Sequence, residues 1–226
     1  MIAAYISLTK PRIIILLLIT ALGGLFLASA GPPDPLITLA VLVGGSLAAG
    51  GANAINHFLD RDIDAKMSRT RNRPIVSGIV RPYFALSFGV LLNIIAFVIL
   101  TQWTNLLSAL LTLSATLFYV FVYTIGLKRS TSQNIVIGGA AGAIPPMVGW
   151  AAVTGNIMDT TPLFLFTLIF LWTPPHFWAL SLILKDDYAE AGIPMMPVIS
   201  GVKVTKKQIF IYTWLLLALL PSAYFL

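Results

Sequence analysis

The sequence contains no cysteine and has few charged residues. None of its 226 residues is Cys, and Asp, Glu, Lys and Arg together make up 10% of the chain. The lack of cysteine excludes disulfide bonds, thiolate metal sites and a C-x-x-C-H haem attachment. A soluble globular domain carries about 25% charged residues. With 58% hydrophobic residues and a mean hydropathy of +0.92, the composition therefore indicates a multi-spanning membrane protein.

Seven apolar runs are long enough to cross a bilayer core of about 30 Å as helices. The first run exceeds the usual signal-peptide core of about 7–15 residues, so we expect a retained helix rather than a cleaved signal. Proline pairs at 145–146 and 174–175 predict that the fifth and sixth helices are broken or kinked. The predicted spans are residues 13–30, 36–59, 83–100, 106–126, 134–154, 162–184 and 208 onward.

The basic residues lie in only one set of connecting segments. All 14 Lys and Arg residues precede the first span or follow the second, fourth and sixth, whereas the opposite loops contain only Asp34 and Asp159 as charged residues. By the positive-inside rule, the N-terminus and the basic loops face the cytoplasm of a cell membrane. This distribution accounts for the formal charge of +6 without nucleic acid as a partner, and membrane lipid is the expected surrounding.

The stretch from Asn53 to Pro82 changes abruptly from apolar to charged. Within it, Asn56, Asp60 and Asp64 recur at i, i+4 and i+8, which places them on one slowly drifting stripe of a helix. A carboxamide and two carboxylates on one face offer oxygen ligands to a hard cation such as Mg²⁺. The arginines and lysines that follow suit a phosphate or diphosphate. The alternative is a charged loop at the cytoplasmic end of a membrane helix.

A second acidic cluster follows the sixth span, on the same side of the membrane as the first. It contains Asp186, Asp187 and Glu190. Two carboxylate clusters opposed across a cavity can hold two metal ions around one diphosphate and ease its departure. Alone, this cluster could equally be a solvated loop. A transporter is the non-enzymatic alternative, but transporter sites lie near the bilayer midplane, whereas these carboxylates lie at the ends of spans.

Three blocks of the sequence resemble the UbiA superfamily of intramembrane prenyltransferases. They read NHFLDRDIDAKMSRTRNRP, YTIGLKRSTSQNIVIGGAAGAIPPMVGW and FLWTPPHFWALSLILKDDYAEAGIPMMPV. The resemblance implies an all-α polytopic transmembrane helix bundle around a central cavity, usually of nine helices. It also implies Mg²⁺-dependent transfer of an allylic prenyl group.

Within that superfamily, the blocks are most similar to members that join farnesyl diphosphate to a vinyl group of haem B. In that reaction, water adds to give a hydroxyethylfarnesyl side chain. A haem-modifying partner enzyme is a further expectation. Members that act on an aromatic or quinone-precursor acceptor are the alternative within the superfamily.

The resemblance also implies the roles of individual residues. The expected metal ligands are Asn56, Asp60, Asp64, Asp186 and Asp187. Of these, Asp60, Asp64 and Asp187 are the expected catalytic residues. The residues expected to bind the diphosphate are Lys10, Arg12, Arg69, Arg73, Tyr123 and Lys128. His57 stands where many members have Asp, so we do not expect it to be a ligand, and a D-x-x-x-D pair in the second cluster is met only with Glu190.

His176 is the candidate residue on the haem acceptor's side. It directly follows Pro174-Pro175 in the sixth span and precedes Asp187 by eleven residues. On a regular helix this spacing places the two on nearly the same face, about 16 Å apart along the axis. A haem-iron ligand deeper in the membrane than the diphosphate would suit this position. The alternative is a neutral histidine that is hydrogen-bonded to a carbonyl freed by the prolines.

The seventh span is still apolar at Leu226, with no basic or polar anchor after it. We expect a single transmembrane prenyltransferase domain over residues 1–226 that is either truncated or short by the last two helices of the family.

Overall fold

A computed structural model describes residues 1–225, and within that range the regular structure is entirely helical. The α-helices in chain order are α1 (Ile2–Thr9), α2 (Pro11–Ala28), α3 (Pro35–Leu59), α4 (Arg61–Lys66), α5 (Pro82–Trp103), α6 (Leu106–Leu117), α7 (Asn134–Ala143), α8 (Pro145–Thr154), α9 (Thr160–Ile183), α10 (Lys185–Glu190), α11 (Met196–Ile199) and α12 (Gly201–Leu219). A π-helical segment, Phe118–Leu127, continues α6, and a 3₁₀ segment, Leu220–Phe225, continues α12.

Within residues 1–225, seven spans are long and apolar enough to cross a membrane, which confirms the prediction of an all-α membrane bundle. Most begin and end within a few residues of the predicted limits. The starts of two spans follow from local chemistry. Asp34 caps α3 by accepting hydrogen bonds from the backbone N–H groups of Leu36 and Ile37, at 2.7 and 3.0 Å. Asn105 caps α6 by accepting from the N–H of Ser108 at 2.9 Å.

The two proline pairs have different effects on their helices. The fifth span is broken at Ile144, and Pro145 begins α8, where its missing N–H has no partner to lose. The sixth span, in contrast, continues as the single helix α9 through Pro174 and Pro175. Just before them, the hydroxyl of Thr173 donates to the carbonyl of Ile169 at 2.7 Å. Hydroxyl side chains of this kind support membrane helices that contain proline.

The predicted polar loop between the sixth and seventh spans is wrong in its extent. Residues 185–207 contain α10, α11 and the first turns of α12, which begins at Gly201 rather than at Gln208. Lys203, Lys206 and Lys207 therefore lie on a helix. Lysine is a good helix former, and its long side chain can carry the charge to the membrane surface, so a basic segment need not be a loop.

Small residues such as glycine let the backbones of membrane helices approach closely. A Cβ atom added to Gly24 on α2 would lie 2.0 Å from the carbonyl oxygen of Pro146 on α8. One added to Gly51 on α3 would lie 2.5 Å from the carbonyl oxygen of Gly89 on α5. The second of these contacts packs α3, which carries the first acidic cluster, closely against α5.

Candidate active site

The row of Asn56, Asp60 and Asp64 crosses the junction between α3 and α4. Backbone hydrogen bonds of 2.9 Å from Asp60 N to Asn56 O and of 2.8 Å from Asp64 N to Asp60 O carry the helical spacing across it. The three residues are only 3%, 0% and 2% exposed, respectively. The predicted stripe is therefore retained, but it is buried inside the bundle rather than placed on a charged loop.

Each residue of this row pairs with a basic side chain from a different part of the chain. The Lys10 ammonium donates to Asn56 Oδ1 at 3.0 Å, and the Lys128 ammonium lies 2.5 Å from Asp60 Oδ2. Arg73 donates to the two oxygens of Asp64 at 2.7 and 2.6 Å. Buried carboxylates require such partners. Four segments distant in sequence thus converge on one charged site, as the sequence predicts for Lys10, Arg73 and Lys128.

Lys10 reaches this site from a strained backbone position. It joins α1 to α2 with φ 55° and ψ 63°, and among residues 1–225 it is the only residue other than glycine with a positive φ. Such conformations are costly and concentrate at functional sites. Burial, together with the nearby charges of Arg73 and Lys128, lowers the pKa of Lys10 to about 7. An anion beside the ammonium would favour its charged form.

The π-helical segment shapes the opposite wall of the site. Its wider turns appear in two i to i+5 contacts: the Thr124 hydroxyl donates to Tyr119 O at 2.9 Å, and Lys128 N donates to Tyr123 O at 2.8 Å. The Asn56 side-chain amide donates to Asp60 Oδ2 at 2.6 Å and to the Thr124 hydroxyl at 3.3 Å. The segment thus delivers Thr124 and Lys128 together to α3, and π turns are frequent at functional sites.

Arg129 and Asp62 are partners that the sequence analysis did not single out. Arg129 donates to the two oxygens of Asp62 at 2.6 and 2.8 Å and to the carbonyl of Leu59 at 3.1 Å. Its guanidinium also lies 3.8 Å from Asp60 Oδ1. The hydrogen bonds from Arg129 lower the pKa of Asp62 to about 2. The pair joins the end of the π segment to the α3–α4 junction. In the sequence, only proximity to predicted ligands points to it: Arg129 follows Lys128, and Asp62 lies between Asp60 and Asp64.

The second acidic cluster lies beside the loop that follows the first. Ser68 Oγ contacts both carboxylate oxygens of Asp187, at 2.8 and 2.9 Å, whereas Asp186 and Glu190 on the same helix α10 are exposed. The two loops share an apolar cluster of Ile63, Met67, Ile135, Ala191, Ile193 and Met195. In the part of the chain that the structure describes, no three Asp, Glu, His or Cys side chains are close enough to hold a metal ion. The two acidic clusters are therefore neighbours without forming a joint carboxylate centre.

Among residues 1–225, the remaining predicted diphosphate ligands form no side-chain hydrogen bond or ion pair with the buried row. Arg12 and Arg69 are exposed. Tyr123 packs against the shared apolar cluster, and its ring stacks on Tyr119 with centroids 5.5 Å apart. Gly138 makes room for that ring, since an added Cβ would lie 2.4 Å from it.

His176 is exposed on α9 and belongs to an aromatic group. Its ring stacks on Trp172 with centroids 4.3 Å apart and meets the edge of Phe177 at 5.3 Å. No residue between 1 and 225 forms a hydrogen bond with its imidazole. The alternative in which a freed carbonyl holds the ring is therefore not what the structure contains.

The structure thus combines a membrane helix bundle with buried carboxylates and converging cations at the end of a span. Residues 17–226 match the UbiA prenyltransferase family, and the chain belongs to that family. It is a multi-pass membrane protein and a prenyltransferase.

Several relatives are similar over almost the whole chain. The protoheme IX farnesyltransferase of Symbiobacterium thermophilum is 54% identical over 219 residues, which cover 97% of this chain and 72% of that relative. The one from Picosynechococcus is 57% identical over 212 residues, which cover 94% and 67%. The one from Roseiflexus is 52% identical, but this chain spans only 40% of its length.

Two solved structures share the fold at low sequence identity. A UbiA homologue from Archaeoglobus fulgidus, bound to DMAPP and Mg²⁺, superposes with a TM-score of 0.81 at 16% identity, over 95% of this chain and 75% of that one. A digeranylgeranylglyceryl phosphate synthase superposes with a TM-score of 0.79 at 21% identity, over 99% and 77%. Both extend beyond the matched region.

Proposed function

We propose that residues 1–226, as one prenyltransferase domain, transfer the farnesyl group of farnesyl diphosphate to a vinyl group of haem B to give haem O. The relatives at 54% and 57% identity, both named protoheme IX farnesyltransferase, support this acceptor and this donor. The structural observation that carries the proposal is the buried row of Asn56, Asp60 and Asp64 with a basic partner at each residue. Such a row suits a metal-bound diphosphate better than any apolar ligand.

The residues of the row fit Mg²⁺, and we propose it as the cofactor. Asp60 Oδ1 is buried and has no hydrogen-bond partner, so this oxygen is available as a ligand. Asn56, Asp64, Asp186 and Asp187 would supply further oxygen ligands, which is the donor type that Mg²⁺ prefers. The fold neighbour from Archaeoglobus fulgidus binds this metal together with a prenyl diphosphate. When bound, Mg²⁺ neutralises charge on the diphosphate and makes it a better leaving group.

The basic residues of the site act on the diphosphate. Lys10, Arg73 and Lys128 now neutralise the row. We propose that they exchange these partners for phosphate oxygens when substrate and metal arrive. The guanidinium of Arg73, which already contacts two carboxylate oxygens, matches phosphate geometry equally well. Arg12, Arg69 and Tyr123 remain predicted contributors at the edge of the site.

The reaction balances as a substitution followed by addition of water. The bond from farnesyl C1 to the diphosphate oxygen breaks, and its electron pair leaves with the diphosphate. C1 then bonds to the outer vinyl carbon of haem B, a water oxygen bonds to the inner carbon, and one proton is released. Because water that arrived earlier would capture the allylic cation, the apolar walls of the bundle protect the first step.

His176 is proposed to bind the acceptor. Its exposed ring, stacked on Trp172, offers nitrogen atoms that no neighbouring carbonyl occupies. We expect His176→Ala to weaken haem B binding and activity while farnesyl diphosphate binding remains largely intact. Haem absorbance titrations and farnesyl diphosphate binding assays measure the two separately. Equal loss of both would show a structural role, and an unchanged haem spectrum with unchanged activity would remove His176 from the site.

We also propose that the active site faces the cytoplasm of a cell membrane. The 14 basic residues lie on one side of the predicted spans, as the positive-inside rule requires for cytoplasmic loops. Because the chain has no cysteine, Arg71→Cys and Met158→Cys can each be labelled selectively in intact cells. Met158 is 78% exposed. We expect a membrane-impermeant reagent outside the cell to label position 158 and not 71; the opposite pattern would overturn the orientation.

The reaction itself is tested with the purified protein in lipid nanodiscs. Incubation with haem B, farnesyl diphosphate and Mg²⁺ should give a haem whose mass has increased by one farnesyl group and one hydroxyl group. Removal of Mg²⁺ by EDTA should abolish the product. Prenylation of an aromatic or quinone-precursor acceptor in place of haem B would contradict the proposed acceptor. A haem-modifying partner enzyme that consumes the product stays a prediction.

A further inference from the structure

His57 is buried on α3 without any hydrogen bond to its ring. The residue is 2% exposed, and neither Nδ1 nor Nε2 has a partner among residues 1–225. A buried polar group without a partner is costly, and most such groups in folded proteins are paired. An imidazole with two free nitrogens therefore indicates a ligand that binds there.

The surroundings of His57 favour an anion. The ring follows Asn56 directly in the chain, and the row that begins at Asn56 is contacted by Lys10, Arg73 and Lys128. Their positive fields converge on the imidazole, so a cationic ligand is disfavoured there and an anionic oxygen is attracted.

We propose that His57 is an additional ligand of the substrate diphosphate, donating a ring N–H to one of its phosphate oxygens. An imidazole retains at least one N–H donor in every protonation state. The proposal rests on the proposed function, since it requires a prenyl diphosphate in this site. It goes further by assigning a contact to a residue that the sequence comparison with the superfamily leaves out, because many members have Asp there.

A metal-ligand role explains the geometry less well. Mg²⁺ prefers oxygen ligands, whereas an imidazole offers only nitrogen. A hydrogen bond to the diphosphate instead satisfies the imidazole when substrate is bound and leaves the carboxylates of Asp60 and Asp64 to the metal.

The test measures the dissociation constant of radiolabelled farnesyl diphosphate with Mg²⁺ and without haem, for the full chain in nanodiscs. We expect His57→Phe and His57→Leu to weaken binding about 10- to 100-fold, the range for a lost hydrogen bond to a charged group. His57→Asn and His57→Gln place an amide donor near the positions of Nδ1 and Nε2, respectively. One of the two should restore most of the affinity and the other should not.

Trp178→Phe is the matched control. Trp178 is also fully buried, and its Nε1 donor likewise has no partner among residues 1–225, but its ring packs against Tyr212 on α12. Its removal should leave farnesyl diphosphate affinity unchanged. A haem titration of each His57 variant should match that of the wild type.

The outcomes separate this inference from the proposed function. If the wild-type protein fails to bind farnesyl diphosphate, the proposed function is wrong. If it binds and the apolar His57 variants bind equally well, only the present inference is wrong. Equal affinities for His57→Asn and His57→Gln would also overturn it. If both apolar variants fail to fold, this comparison still tests the inference. Loss of haem binding with unchanged farnesyl diphosphate binding would overturn it as well, by moving His57 to the acceptor.

Discussion

The two acidic clusters of this chain differ in their surroundings. Asp60 and Asp64 are buried, and each contacts a lysine or arginine. Asp187 is partly exposed, and within residues 1–225 its carboxylate forms hydrogen bonds only with the hydroxyl of Ser68, while Asp186 next to it is exposed. The first cluster lies where α3 joins α4 and contacts Lys128 at the end of the π segment. The second cluster lies on α10, a short helix of six residues.

This difference indicates that the two clusters contribute at different stages. Burial of charge is costly unless each charge is paired, so the first cluster is built before substrate arrives and is held in place by its cations. The second cluster has no such partners and keeps its carboxylates available. We infer that the first cluster forms the site and that the second completes it when a metal-bound diphosphate is present.

The largest effect is expected at the first cluster. Asp60→Ala or Asp64→Ala should lower turnover about 10³-fold or more, because a lost metal ligand removes several kcal/mol of transition-state stabilisation. Initial rates of haem product formation at saturating Mg²⁺ measure the effect.

Asp34→Ala is the matched control for these variants. Asp34 caps α3 at its other end, so its loss should cost about 1 kcal/mol of stability without changing the rate per folded molecule. Near-normal turnover by Asp60→Ala would remove the first cluster from the chemistry.

An intermediate effect is expected at the second cluster. Asp187→Asn keeps the shape of the side chain and can still contact Ser68, but it removes the negative charge. We expect turnover to fall about 10- to 100-fold, the range for one lost charge-assisted contact. The apparent Mg²⁺ requirement should rise in parallel, and a magnesium titration of the initial rate would reveal this. Turnover as low as that of Asp60→Ala would show that both clusters are equally essential from the start.

The smallest effect is expected for the contact between the clusters. Ser68→Ala removes an exposed hydroxyl and leaves the Asp187 carboxylate without this hydrogen bond. Because this contact must be exchanged for metal in our mechanism, turnover should change by less than about threefold, the scale of one solvent-exposed hydrogen bond. A loss as large as that of Asp187→Asn would instead make Ser68 part of the site.

The sequence predicts much of this architecture because its signals are local. Apolar runs define the spans, and the i, i+4, i+8 spacing of Asn56, Asp60 and Asp64 survives in the structure because α4 continues the helical hydrogen bonding of α3. Lys10, Arg73 and Lys128 are among the predicted diphosphate ligands, and the structure brings these three to the buried row, whereas the predicted Arg12 and Arg69 are exposed. The positions of these three residues do not test whether they bind the diphosphate, so that role stays a proposal.

The features that sequence reasoning missed depend on tertiary contacts. The π turns at Phe118–Leu127 have no signature in a uniformly apolar run, so the contact of Thr124 with Asn56 could not be foreseen. The contribution of Arg129 to the site is apparent only from the structure, in which it donates a hydrogen bond to Asp62. The unpaired nitrogens of His57 are likewise a property of its neighbours, since its sequence position alone argued against a ligand.

The central claim is that the buried first cluster forms the diphosphate site before substrate binds and that the second cluster only completes this site. Equilibrium binding of farnesyl diphosphate with Mg²⁺ to Asp60→Asn, Asp187→Asn and the wild-type protein tests this most directly. We predict that Asp60→Asn loses the magnesium-dependent part of the affinity, whereas Asp187→Asn retains most of it. Retention by Asp60→Asn with loss in Asp187→Asn would contradict the claim.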